Sequence, residues 1–289
     1  MPARTTRKTC RVAILAPFAC AATLAVASTA TPADAQSWPS QVNAIYKINF
    51  GGVELGKFEF SSRVTESSYA LTGNAQVSAL FGAYEWKGQT RSAGAASASG
   101  PKPTSYSFNF NSQSKTGTVQ MTFSDNVVTK VLADPPAKSA PGTIPLTDQH
   151  MKDVLDPLSA IMALTRSTTG RVTSVNPCGR RIAVFDGKQR FDLILGFKRQ
   201  ANLSEVGGSA PKSAIVCRVK YLPIAGFRMN DDMRQMTQQT GMEVWLVPVP
   251  EANVFVPYHI VIPTVAGDAT MTAYKVNIDT SRGRVALSH

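Results

Sequence analysis

A chain of 289 residues, 43% of them apolar and 17% charged, is long enough to bury a substantial core as one large domain or two small ones. Its formal charge of +11 is strongly basic, yet no nucleic-acid-binding motif accompanies that charge. Beyond the first residues, no segment is long and apolar enough to span a membrane, so both of those classes are set aside.

Residues 1–35 have the three parts of a secretory leader. Arg4, Arg7, Lys8 and Arg11 come first, an apolar run follows from Val12 to Ala27, and Ala33-Asp34-Ala35 precedes Gln36. Cleavage after Ala35 is expected, because Pro17 and Thr23 interrupt the run short of the roughly 20 apolar residues of a spanning helix. Pro17 also stands where a lipid-modified Cys20 would need an aliphatic residue. The remainder, residues 36–289, reads as a single exported domain in the periplasm. The leader holds four of the 30 basic and one of the 19 acidic residues, which leaves the remainder at +8. All of that excess lies between Arg166 and Arg234, where 13 Lys and Arg face five acids.

The strands begin at Val42. Tyr46, Ile48 and Phe50 alternate with polar residues, Gly51-Gly52 makes a tight turn, and Val53, Leu55, Phe58 and Phe60 resume the pattern. Apolar parity changes between Leu55 and Phe58, beside Gly56, which predicts a bulge. Strands are expected at Tyr69–Val77, Ala83–Thr90, Pro103–Asn111, Val119–Phe123 and Val127–Leu132, together forming a meander. The Ala/Ser/Gly-rich stretch Ser92–Pro103 and the Pro-rich stretch Ala133–Pro145 read as long surface loops.

One helix interrupts the strands. Asp156 is placed to cap it, Pro157 suits its first position, Ser159 lies in its first turn and Arg166 in its last. Leu158, Ile161, Met162 and Thr165 follow at spacings of three and four, and no charge stands between Pro157 and Thr165, so this helix must be mostly buried. After it come a hairpin, Arg181–Phe185 and Arg190–Phe197 about Asp186-Gly187, then strands at Ser213–Leu222, Met242–Val247, Val254–Ile262 and Thr270–Ile278. Met229–Gln239, polar and Met-containing, fits a short helix or a loop, and the loop is preferred. The fold class is therefore all-β: a strongly curved antiparallel sheet, an open barrel or β-spiral, with one central helix packed on its concave face. With Cys10 and Cys20 in the leader, Cys178 and Cys217 remain. A lone pair in an exported chain points to a disulfide, and a metal pair would need further ligands at short spacing.

Several short motifs occur in one order: Tyr46-Lys47-Ile48 with Gly51; Asp156-Pro157-Leu158-Ser159 with Arg166; Phe185-Asp186-Gly187 leading to Arg190-Phe191-Asp192-Leu193; and Met242-Glu243-Val244-Trp245-Leu246. In that order they resemble a family of exported bacterial proteins known as domain-of-unknown-function family 3108, over roughly Ile45 to Ile278. The resemblance implies a curled β-barrel-like fold similar to lipoprotein-carrier and envelope-integrity proteins. It brings no catalytic residues.

The residues themselves give little chemistry. A Gly-x-Ser-x-Gly elbow is missing, and Gly207-Gly208 is not followed by the Lys-Ser/Thr of a phosphate loop. Neighbouring Asp231 and Asp232 do not make the spaced carboxyl pair of a glycosidase. His259 on a strand, and His150 between Asp148 and Asp153, are the remaining candidates for a base or a metal ligand; both read better as structural. No catalytic residue, metal or cofactor is expected. A binding role is favoured, with Phe58, Phe60, Phe108, Phe110 and Phe123 lining an apolar groove for a lipid or lipoprotein acyl chain. Arg180, Arg181, Lys188 and Arg190 would form a basic rim for an anionic envelope component. Two readings stay open beside it: the aromatics close-pack and leave no groove, and the protein is an envelope-integrity scaffold with no small ligand.

Overall fold

The computed structural model describes residues 38–79, 82–97, 99–136, 140–166, 170–173, 175–207, 213–238 and 240–288. The expected leader, residues 1–35, lies outside them, as does His289. Residues 36–289 form one compact unit.

Gly51 and Gly52 both take positive φ, as a two-residue turn between right-twisted strands requires, and join β1 (Gln41–Phe50) to β2 (Val53–Val64). The pairing of these strands slips by one residue at Leu55, which is the physical origin of the parity change around Gly56. The meander continues through β3 (Ser68–Ala79), β4 (Tyr84–Ser97), β5 (Gly100–Ser112), β6 (Thr116–Ser124) and β7 (Val127–Asp134). A long connection carrying α1 (Pro157–Thr165) leads to β8 (Arg180–Phe185), β9 (Arg190–Asn202) and β10 (Ser213–Ala225). Then come α2 (Asp231–Gln238), β11 (Glu243–Val249), β12 (Val254–Thr264), β13 (Gly267–Thr280) and β14 (Gly283–Ser288).

All fourteen strands belong to one antiparallel sheet. Its order runs β7-β6-β5-β4-β3-β2-β1-β13-β12-β11-β10-β9-β8, with β14 added on β13. Strands near the two ends of the unit, β1 and β13, therefore pair in the middle of the sheet, while β7 and β8, successive strands of the chain, are its two ends. Those ends do not pair, and the sheet is not closed. The connection bridges them instead. Val154 N–H donates to Asn126 in the β6–β7 turn, and Leu155 makes a parallel bridge to Val184 of β8. Gly187, at the tip of the β8–β9 hairpin, lies so near β6 that a Cβ there would stand 2.3 Å from Val119, so the sheet curls until its far strands touch.

Inside this curl α1 packs against β3, β4, β5, β8 and β12. β12 is covered on both faces. Val254, Val256 and Tyr258 pack with Ala44, Val276 and Ile278, while Phe255 packs with Leu246, Cys217 and Ala160 of α1. The Cys178–Cys217 disulfide, with Cα atoms 5.6 Å apart, joins the approach to β8 to β10. Closing a 39-residue loop in the unfolded chain, it contributes about 4 kcal/mol on the chain-entropy account.

Two expectations require correction. Ser92–Pro103 is no surface loop: β4 runs on to Ser97 and β5 starts at Gly100, and Gly94, where a Cβ would stand 2.1 Å from Lys102 O, lets the two strands stay paired. Met229–Gln239 contains α2, packed on β10. Its start is capped by Asn230, whose Oδ1 accepts from Met233 N–H at 2.9 Å, and Arg234 pairs with Asp231 one turn back.

Candidate functional site

The site is built around α1. Its first turn leaves backbone N–H groups unpaired within the helix, and the fully buried Asp156 receives two of them: Oδ1 accepts from Leu158 and Ser159 N–H, both at 3.0 Å. Oδ2 accepts from the Ser159 hydroxyl at 2.5 Å and from Ser92 of β4 at 2.9 Å. The Ser159 oxygen then lies 2.7 Å from the Tyr69 hydroxyl of β3. This polar cluster fastens the helix start to two strands. Burial pushes the Asp156 carboxyl above its ordinary range, outweighing four hydrogen bonds that favour the carboxylate.

Two arginines fasten the other end. Arg166, mostly buried, donates to Ser97 O at 2.8 Å and stacks on Trp38, 4.8 Å from the ring centroid. Arg180 of β8 donates to Ala163, Leu164 and Arg166 carbonyls at 3.1, 2.7 and 2.8 Å, meeting the acceptors that a helix C-terminus leaves open.

Held at both ends, α1 does not fill the curl. Between its last turns and the strands lies a cavity of about 90 Å³. Ile161, Met162 and Leu164 of α1 form one wall; Val42 and Ala44 of β1, Phe58 and Phe60 of β2, and Met271 and Val276 of β13 form others, with Phe255 and Ile260 of β12. Trp38 and Pro39, just before β1, complete it. The lining is apolar apart from a few groups. Thr165 turns its hydroxyl to Met162 O at 2.8 Å, Ser62 and Tyr46 are buried, and Trp38 Nε1 is buried without a hydrogen-bond partner among the described residues. A cavity of this chemistry holds apolar groups in preference to water.

Of the five aromatics expected in the lining, Phe58 and Phe60 are there. Phe108 and Phe110 stack on each other, centroids 5.8 Å apart, with Phe108 beside Trp86. Phe123 is buried with Met121, Phe185 and Val154, where the two ends of the sheet meet. None of these three lines the cavity. The alternation that put all five on one face was sound, but one face of a curled sheet serves several packing regions.

None of the four expected rim residues lines the cavity either. Arg180 caps α1. Arg181 and Arg190 both pair with Asp192, whose side chain is fully buried, at the β8–β9 end of the sheet. Lys188 sits in the hairpin turn, where its backbone N–H donates to Asp186 at 2.8 Å.

Of the other lining residues, Ile161 and Met162 stood out by helical spacing and those of β12 and β13 by apolar alternation, but nothing local put them beside Trp38, which β13 follows by more than 200 residues. His259 lies 2.7 Å from Thr272 Oγ1 and edge-on to Trp245, and His150 holds Thr147 N–H at 3.2 Å at the start of a 3₁₀ turn. Among the described residues no three His, Cys, Asp or Glu side chains converge as metal ligands would. Nor is any described helix long and apolar enough to cross a membrane.

Residues 45–274 match a protein family described as "Protein of unknown function (DUF3108)". No curated protein matches the chain. Among solved structures, a β-barrel-like protein of domain of unknown function DUF1849 from Brucella abortus is similar, with a TM-score of 0.46 and 10% identity, over 83% of this chain and 98% of that one.

Proposed function

This chain belongs to the DUF3108 family of proteins of unknown function, and on that premise we propose that it is an exported, non-enzymatic periplasmic protein whose cavity takes up the end of an acyl chain. The carrying observation is the apolar cavity between α1, β1, β2, β12 and β13. A close-packed interior leaves few voids larger than a water molecule. Here a helix fixed at both ends by Asp156 and Arg180 packs on β3, β4, β5, β8 and β12 and leaves a space towards β1, β2 and β13. At about 90 Å³ the space suits the terminal segment of one chain, not a whole lipid. The leader-like residues 1–35 and the disulfide support export to an oxidising compartment, with cleavage after Ala35. The basic residues lend no support to an anionic partner, since Arg180, Arg181 and Arg190 are engaged within the fold.

Gentle native mass spectrometry of protein taken from the periplasm of its own host, with organic extraction, tests this reading. A stoichiometric acyl species released on unfolding is expected. A clean unliganded mass that persists after addition of envelope lipids would overturn it in favour of a scaffold acting through protein contacts.

A further inference from the structure

Tyr46 lines the cavity and is only 6% exposed, yet its hydroxyl has no hydrogen-bond partner among the described residues. Buried tyrosine hydroxyls usually have one. Across the ladders its side chain stands between Ala273 and Phe58, whose ring lies 6.1 Å away, and neither offers a polar atom. Trp38 Nε1 and Asn126 Oδ1 are the sealed, unpartnered polar atoms among the described side chains, and the Tyr46 hydroxyl is not one of them, so it keeps accessible surface in the wall it forms. Burial alone pushes this phenol above its ordinary range, and it stays a neutral donor at physiological pH.

The cavity is shut at one end, where Ser62 and Val64 are buried and Arg166 stacks over Trp38. It opens past Tyr46. There Met271 and Ile260, paired in the next row, are half-buried, and Ile262, one row further, is exposed. No charged side chain stands among the described lining residues.

We propose that the occupant is an uncharged acyl group, ester- or amide-linked, whose carbonyl oxygen accepts a hydrogen bond from the Tyr46 hydroxyl while its hydrocarbon end runs inward along β1 towards Val42 and the helix. This rests on the acyl-chain reading above and adds the ligand's polar group and charge to it. A free fatty acid would carry a carboxylate into a wall with no cation to meet it, which costs far more than one hydrogen bond returns. The cavity therefore takes linked chains and rejects free acids.

The experiment is displacement of N-phenyl-1-naphthylamine from the full chain by methyl laurate, N-methyl lauramide, laurate and tridecane at neutral pH, in the wild-type protein and in Tyr46→Phe. Phenylalanine keeps the ring against Phe58 and removes the hydroxyl. In the variant the ester or the amide is expected to weaken about 5- to 10-fold, the share of one hydrogen bond, while tridecane changes less than about twofold and so reports that the variant is folded. The arm with the larger loss identifies the linkage. Losses equal for the linked chains and tridecane, or no loss, overturn the proposal. In the wild type laurate is expected to bind at least about 10-fold more weakly than methyl laurate, and laurate binding as tightly overturns the selection against charge. The infrared carbonyl band of isotope-labelled methyl laurate on the wild-type protein needs no variant. A band shifted below its position in hydrocarbon is expected, and an unshifted band overturns the hydrogen bond while leaving the cavity reading intact, whereas failure of every compound to bind removes both.

Discussion

Asp156 gathers two backbone amides and two serine hydroxyls around a carboxyl that the fold buries completely. Replacing it with alanine leaves those donors without an acceptor and removes the helix cap, an expected loss of about 3 kcal/mol or more in urea unfolding. Asn keeps the capping oxygen and the shape, and Asp156→Asn is expected within about 1 kcal/mol of the wild type at neutral pH. The two proteins should then diverge in acid. A carboxyl whose folded pKa is raised contributes stability that is fully present below its ordinary value of about 3.9 and lost as pH rises through the folded value. The wild type should therefore gain on Asp156→Asn as pH falls from 7 towards 4, and a difference that stays flat over that range would contradict the raised pKa. Asp186, raised by burial too, is common to both proteins and cancels in the comparison. The sequence marked Asp156 and Ser159 as cap and first turn, since both roles are local. Ser92, 64 residues before Asp156, and Tyr69, 90 residues before Ser159, gave no such signal, because what recruits them is the pairing of β3 with β4 under the helix.

The element that decides the site is α1, and its far end depends on a side chain from another element. Arg180 spans three carbonyls of the last turn with a planar fork that Lys lacks. Arg180→Met, which keeps the aliphatic stem, is expected to cost about 2 kcal/mol and to fray the turn carrying Met162 and Leu164, lowering acyl-chain affinity as well. Arg180→Lys should restore only part of either. Unchanged stability in Arg180→Met, measured by urea unfolding, would show that water serves those carbonyls equally well. The limits of α1 were readable from Asp156, Pro157 and Arg166, because capping and apolar spacing act over one or two turns. Arg180, by contrast, read as one of a run of basic residues, and its role needs β8 laid beside the helix terminus. For α2 the loop was preferred although its cap, Asn230, stood in the sequence; its polar composition hid a helix that packs on β10.

At the scale of the whole unit, the sheet has unequal strands. β11 and β12 are paired on both sides and covered on both faces, whereas β7 is an end strand and β14 pairs only with β13. Amide hydrogen exchange should follow this order, with protection in β11 and β12 on the order of 100-fold or more above that in β7 and β14. Uniform protection would indicate that the sheet opens as one piece. The sequence by itself determined the strand alternation, an irregularity beside Gly56, the buried helix with its cap, and the two cysteines that pair, since each is written in neighbouring residues or in the count of a rare one. Only the tertiary structure decided which apolar residues fill the core and which line a cavity. Phe58 and Phe123 have the same chemistry and the same strand periodicity; what separates them is how far the sheet curls and where α1 is held, and both follow from contacts between residues distant in the chain.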